Sequence, residues 1–151
     1  MAKTKLELPP RTSTDVINLS DTVEFQWLFD GAAFMIMLKG NTREDIDVYI
    51  DANIEVIQSW PDNTKFFSFQ NISYNNVGMT PYFKKRLDEA ADTMLEKKLV
   101  GHSMVLISDT LLGRSLKIVV GWFSRKAPVQ QHWFTDYDQA LETLTNLVNE
   151  D

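Results

Sequence analysis

A chain of 151 residues fits one domain and is long enough to bury most of its apolar surface around a single core. Hydrophobic residues make up 44% and charged residues 24%, which excludes a disordered chain, and no apolar run approaches the roughly 20 residues that cross a bilayer. The absence of cysteine excludes disulfides and thiolate metal sites and fits a reducing compartment, so a cytoplasmic protein is expected; a net charge of −6 argues against nucleic acid as a partner.

Met1 to Ser20 is polar, carries Lys3, Lys5, Pro9, Pro10 and Arg11, and has no apolar core of a signal peptide. Its composition favours an extended, mobile arm, which leaves 21–151 as a single domain. From Val23 the residues Val23, Phe25, Trp27 and Phe29 alternate with Glu24, Gln26 and Leu28, the period of a half-buried strand. Asp30-Gly31 reads as a tight turn, and the continuous apolar run Phe34 to Leu38 reads as a strand covered on both faces, so the domain opens with an antiparallel hairpin.

Thr42 is placed to cap a helix with Glu44 and Asp45 in its first turn and Ile46, Ile50, Ile54 and Ile57 at helical spacing, stopped by Pro61. Its acids Asp47, Asp51 and Glu55 are expected on a solvated face. Lys65 to Gln70 forms the next strand, and a polar loop from Asn71 to Met79 leads to Thr80-Pro81, a cap with proline at the first helical position. Phe83, Leu87, Ala90, Ala91 and Met94 give the second helix its apolar stripe, with Gly101 as its stop. Met104 to Ile107 is a buried strand, Thr110 to Ser124 a third helix and Gln131 to Phe134 a short strand. A last helix begins at Thr135 or Asp136 and carries Tyr137, Leu141, Leu144 and Val148 on one face. Helical crossovers imply parallel pairing after the hairpin, so an α/β fold with a mixed sheet of about five strands and about four helices is expected.

This order resembles the SpoIIAA-like (STAS) fold of anti-sigma-factor antagonists over about Val23 to Val148. The stretch Leu112 to Pro128, then His132-Trp133-Phe134-Thr135-Asp136 with Ala140-Leu141 following, looks like the final helix, strand and helix of such sequences. The resemblance implies a regulatory, protein-binding role. In the antagonists a phosphorylated hydroxyl lies in an Asp-Ser-Ser or Asp-Ser-Thr segment before the second long helix. Here that stretch runs from Asn71 through Ser73, Gly78 and Thr80 to Pro81, without the acid or the serine pair, and Thr80 falls nearest the phosphoacceptor position.

No catalytic constellation is read from the residues. His102 and His132 are separated by a helix with no acid or cysteine at metal-ligand spacing, there is no nucleophile elbow, and the six glycines form no phosphate-binding cluster. Neither a metal nor a cofactor is expected. Ligands of α/β sheets bind outside the carboxyl ends of parallel strands, which here hold Asn71 and Ser73 in one loop and Ser108 and Asp109 in another, with Thr80 beside them. These residues are the candidate recognition edge for a protein partner. The alternative function is carriage of a small apolar ligand or lipid between helices and sheet, suggested by Trp27, Trp60, Trp122 and Trp133. The helix from Thr110 to Ser124 is apolar over a wide arc, and its second stripe, Leu111, Ile118 and Trp122, is a candidate homodimer seam. A membrane surface is disfavoured by the net negative charge.

Overall fold

The computed structural model describes residues 6–74, 77–110, 114, 117 and 128–150. The chain runs β1 (Ile17–Asn18), β2 (Val23–Leu28), β3 (Ala33–Leu38), α1 (Arg43–Ser59), β4 (Phe66–Asn71), α2 (Pro81–Lys97), β5 (Gly101–Leu106), β6 (Val129–Phe134) and α3 (Tyr137–Asn149). The six described strands form one mixed sheet in sequence order. β1, β2 and β3 pair antiparallel, and β3 to β6 pair parallel.

The expected α/β class and opening hairpin are present, and six strands are described where about five were expected. The added strand is β1, two residues that pair Ile17 with Phe25 and Asn18 with Glu24. So short a strand has no periodicity of its own and exists only through that pairing. Three helices are described where four were expected. The span from Thr110 to Ser124 lies almost wholly outside the described residues; within it Arg114 and Lys117 are helical and exposed.

The arm read as mobile makes contacts in the structure: Leu6 and Leu8 pack against the core, and the Trp27 Nε1–H donates to the Pro9 carbonyl at 2.8 Å. The hairpin turn is a 3-10 turn, Phe29–Gly31, in which Phe29, Asp30 and Gly31 all have positive φ. Phe29 therefore leaves the strand alternation and is exposed.

Alternation decides the two faces of the sheet. Val23, Phe25 and Trp27 of β2, Phe34, Ile36 and Leu38 of β3 and Phe66 of β4 point to the face covered by α1 and α2. The opposite face presents Ala33, Met35, Phe67, Phe69, Met104 and Leu106 to Ala140 and Leu144 of α3. β3 is buried on both faces, which accounts for its unbroken apolar run.

Each helix begins as its local chemistry dictates. Thr42 and Asp45 form a reciprocal capping box at α1, and the Thr80 hydroxyl accepts from Phe83 N ahead of Pro81 at α2. α2 stops at Lys98 in the left-handed conformation, not at Gly101. Gly101 instead opens β5 with φ 152°, where a Cβ would run into the backbone of Phe66 on the neighbouring strand. The acids of α1 also depart from expectation, because Asp47 and Asp51 pair with Arg86 across the α1–α2 seam. No described helix is long and apolar enough to cross a membrane.

Candidate functional site

Four loops and three described helix starts follow the carboxyl ends of β3 to β6. The predicted residues sit there, each with a local partner. Asn71 Oδ1 accepts from Ser73 N at 3.2 Å and from the Ser73 hydroxyl at 2.6 Å, the closed turn that asparagine forms readily. Ser108 Oγ lies 2.8 Å from Thr110 Oγ1, Asp109 Oδ1 lies 3.8 Å from Arg114 Nη2, and Thr80 caps α2. The loops are adjacent through a backbone bond, Ile72 N to Leu106 O at 3.0 Å. Their side chains close on themselves, so the structure gathers Asn71, Ser73, Thr80, Ser108 and Asp109 at one edge without joining them into one cluster.

Sequence reasoning missed the larger side chains at this edge. Arg43 starts α1, Tyr82 starts α2, Tyr137 starts α3, and Tyr74 lies in the loop after β4. The Arg43 guanidinium stacks 4.8 Å from the Tyr82 ring centroid, and the Tyr82 hydroxyl donates to Asp47. That hydrogen bond pushes the Tyr82 phenol pKa up, because the neutral form is the donor. Asn41, Arg43, Ile46, Thr80, Pro81 and Tyr82 bound an open cleft of about 300 Å³.

On the other side of the same edge, Lys39 Nζ donates to Glu24 Oε1 at 2.5 Å and lies 5.7 Å from the Tyr74 ring centroid. The Glu24 hydrogen bond raises the Lys39 pKa. Tyr74 and Tyr137 rest their hydroxyls near Met37 and Met35 sulfurs, at 3.9 and 3.6 Å. Both residues keep more than a third of their surface exposed. The signal at Tyr82 and Tyr137 was tyrosine at a helix start, which apolar periodicity assigns to packing.

Two further polar groups lie inside the fold. Under α1, the Tyr49 hydroxyl donates to Gln70 Oε1, Gln70 Nε2 donates to Asn53 Oδ1 at 2.8 Å, and Asn53 Nδ2 donates to the Tyr49 carbonyl at 3.0 Å. Burial pushes the Tyr49 phenol pKa up strongly. These residues, with Ser103 and Gln131, line a cavity of about 50 Å³ between the helices and the sheet. On the α3 face the register brings together the two histidines that the sequence separates: His102 Nδ1 and His132 Nε2 are 2.9 Å apart across β5 and β6.

Among the described residues no group of three or more histidines and carboxylates is arranged to hold a metal. The proposed seam residues Leu111, Ile118 and Trp122 lie outside the described residues. Comparison with protein-family models, with curated proteins and with solved structures gave no match to this chain.

Proposed function

We propose that this protein is a non-catalytic, cytoplasmic regulatory module of SpoIIAA-like architecture that binds a protein partner, or a second copy, through the carboxyl-end edge of its sheet. One observation carries this: three of the four tyrosines of the chain, Tyr74, Tyr82 and Tyr137, gather at that edge with Arg43. Tyrosine and arginine dominate the energetics of protein interfaces, since each offers a large stiff apolar surface with a polar tip. The polar loops around them, already satisfied by their own turns and caps, suit a rim that excludes water around such anchors. The order of elements from β2 to α3 supports the SpoIIAA-like part of the proposal.

Carriage of an apolar ligand between helices and sheet has less support. The cavity there holds about 50 Å³, against a lower limit of roughly 300 Å³ for ordinary small-molecule sites.

Native mass spectrometry of the protein isolated from its own host tests the proposal. A stoichiometric protein partner or dimer is expected. Its affinity should fall by about tenfold or more when Arg43 and Tyr74 are both changed to alanine, and should be unchanged by Glu142→Ala on the exposed side of α3. A bound small molecule without a protein partner, or saturable turnover in hydrolase, transferase or oxidoreductase screens, would overturn it.

A further inference from the structure

At the opposite end of the parallel strands, the arm places one side chain in an aromatic notch. The Arg11 Cζ lies 4.6 Å from the Trp27 ring centroid and 4.5 Å from that of Trp60. The two indoles are tilted by 37° with centroids 6.4 Å apart, so they form an open V with the guanidinium at its mouth. Trp27 ends the aromatic row of β2, and Trp60 follows α1 with its ring against Phe34 and Phe66. Both indoles are almost fully buried, and their ring N–H groups are fixed by the Pro9 and Lys65 carbonyls, so the notch is held rigidly.

Three details show a fit to an arginine within a peptide. Arg11 Nη1 donates to the Gly31 carbonyl at 2.8 Å, a contact that a quaternary ammonium cannot make. Gly31, at φ 85°, leaves no room for a side chain, because a Cβ there would lie 2.8 Å from the Arg11 Cβ. The Trp27 ring N–H takes the carbonyl of Pro9, two residues before the arginine, so main chain is read as well as side chain. Beside the notch is an open cleft of about 520 Å³ bounded by Leu6, Leu8, Arg11 and Trp27, with Glu55 and Ser59 of α1 on its far wall.

Occupation by Arg11 is incomplete. Its Nη2 is buried without a hydrogen-bond partner, and a guanidinium has five donors to satisfy. Burial also pushes the Arg11 pKa down from its ordinary value. The arm thus gives up solvation at one of its main anchors, and its ordering costs backbone entropy at every residue.

We propose that the Trp27–Trp60 notch is a recognition site for an arginine side chain of an extended peptide, and that residues 6–14 occupy it as an internal pseudo-ligand. An arginine peptide from a partner competes with the arm, and Glu55 supplies a carboxylate near the cleft for its charge. The site is separate from the tyrosine-rich edge and stands or falls without it.

The test uses the full-length chain carrying Arg11→Ala, with retention of fold checked by circular dichroism. The probe is a synthetic peptide of residues 6–14, titrated while the indole fluorescence of the protein is followed. Saturable binding is expected, at least about tenfold tighter than to the parent chain, whose own arm competes at high effective concentration. The same peptide with Arg11→Lys should bind at least about tenfold more weakly, since a compact ammonium fits neither the stacked geometry nor the Gly31 carbonyl as well. Ethylguanidinium alone should perturb the fluorescence of the Arg11→Ala chain and leave the parent unchanged. If Arg11→Ala disturbs the fold, Arg11→Lys in the full chain replaces it and should give the same ranking. No saturable binding to either variant, equal binding of the lysine peptide, or equal binding to the parent would each overturn the proposal.

Discussion

The His102–His132 pair shows what one contact implies for acid stability. With ring nitrogens 2.9 Å apart, one must donate and the other accept, so the arrangement needs at least one neutral imidazole. Burial lowers the His132 pKa below its ordinary 6.5, and the neighbouring His102 lowers it further. The unfolded chain therefore takes up a proton at this residue before the folded chain does. Stability from this source is complete above about pH 6.5 and declines as pH falls through that value toward the lowered folded pKa. Melting temperatures between about pH 8 and pH 5.5 should drop for the parent and drop less for His132→Gln, which keeps a hydrogen-bonding side chain but does not titrate. An unchanged slope in the variant would assign the acid lability to other groups. Because His132 is partly solvated, the difference should be modest.

Among elements, the α1–α2 seam is bridged by a buried cation. Arg86 of α2 is 9% exposed and meets Asp51 and Glu89 in close ion pairs, with its Nε 3.3 Å from Asp47 Oδ1. Burial works against its charge, but Asp51, Glu89 and Asp47 together outweigh it and raise its pKa. Arg86→Ala removes the bridge and leaves Asp47 and Asp51 of α1 facing each other. The carboxylates are about a third exposed, so the loss should sit below that of a fully buried pair, at about 2 kcal/mol. Arg86→Met, which keeps the packing, combined with Asp51→Asn should recover part of it in urea unfolding. The lone Arg86→Met should recover less, and equal stabilities would show that packing rather than charge holds the seam. That bridge was invisible in the sequence because periodicity places acids on a solvated face without saying which helix will pack beside it. The starts of α1 and α2 and the hairpin of β2 and β3 were legible, since caps, proline and alternation are local signals. β1 and the opening of β5 at Gly101 were not, because both depend on what a strand from elsewhere in the chain presents. The candidate site was legible as a set of loops, from Asn71 to Thr80 and at Ser108 and Asp109. It was not legible as a tyrosine-rich edge, since Tyr82 and Tyr137 occupy spacings that serve packing equally well.

Across the whole molecule, the two faces of the sheet are covered unequally. α1 and α2 lie together over the face that holds Phe25, Trp27, Phe34 and Phe66, whereas among the described residues α3 is the one helix on the opposite face. There Ala140 and Leu144 are fully buried against Phe67, Phe69, Met104 and Leu106, and the Tyr137 ring lies 5.3 Å from that of Phe69. The amphipathic stripe of α3 is thus matched to an apolar strip of parallel strands that would be continuous if uncovered. Two changes of different size follow. Leu144→Ala removes one buried side chain and should cost about 3 kcal/mol, lowering the melting temperature by roughly 6 to 12 °C for a chain of this size while leaving the circular dichroism spectrum native. A chain ending after Thr135 loses the whole cover. It should bind a hydrophobic dye, aggregate at concentrations where the parent is monodisperse, and unfold without a sharp transition. A truncated chain that stays dye-silent and melts like the parent would show that the strip formed by Phe67, Phe69, Met104 and Leu106 does not need α3.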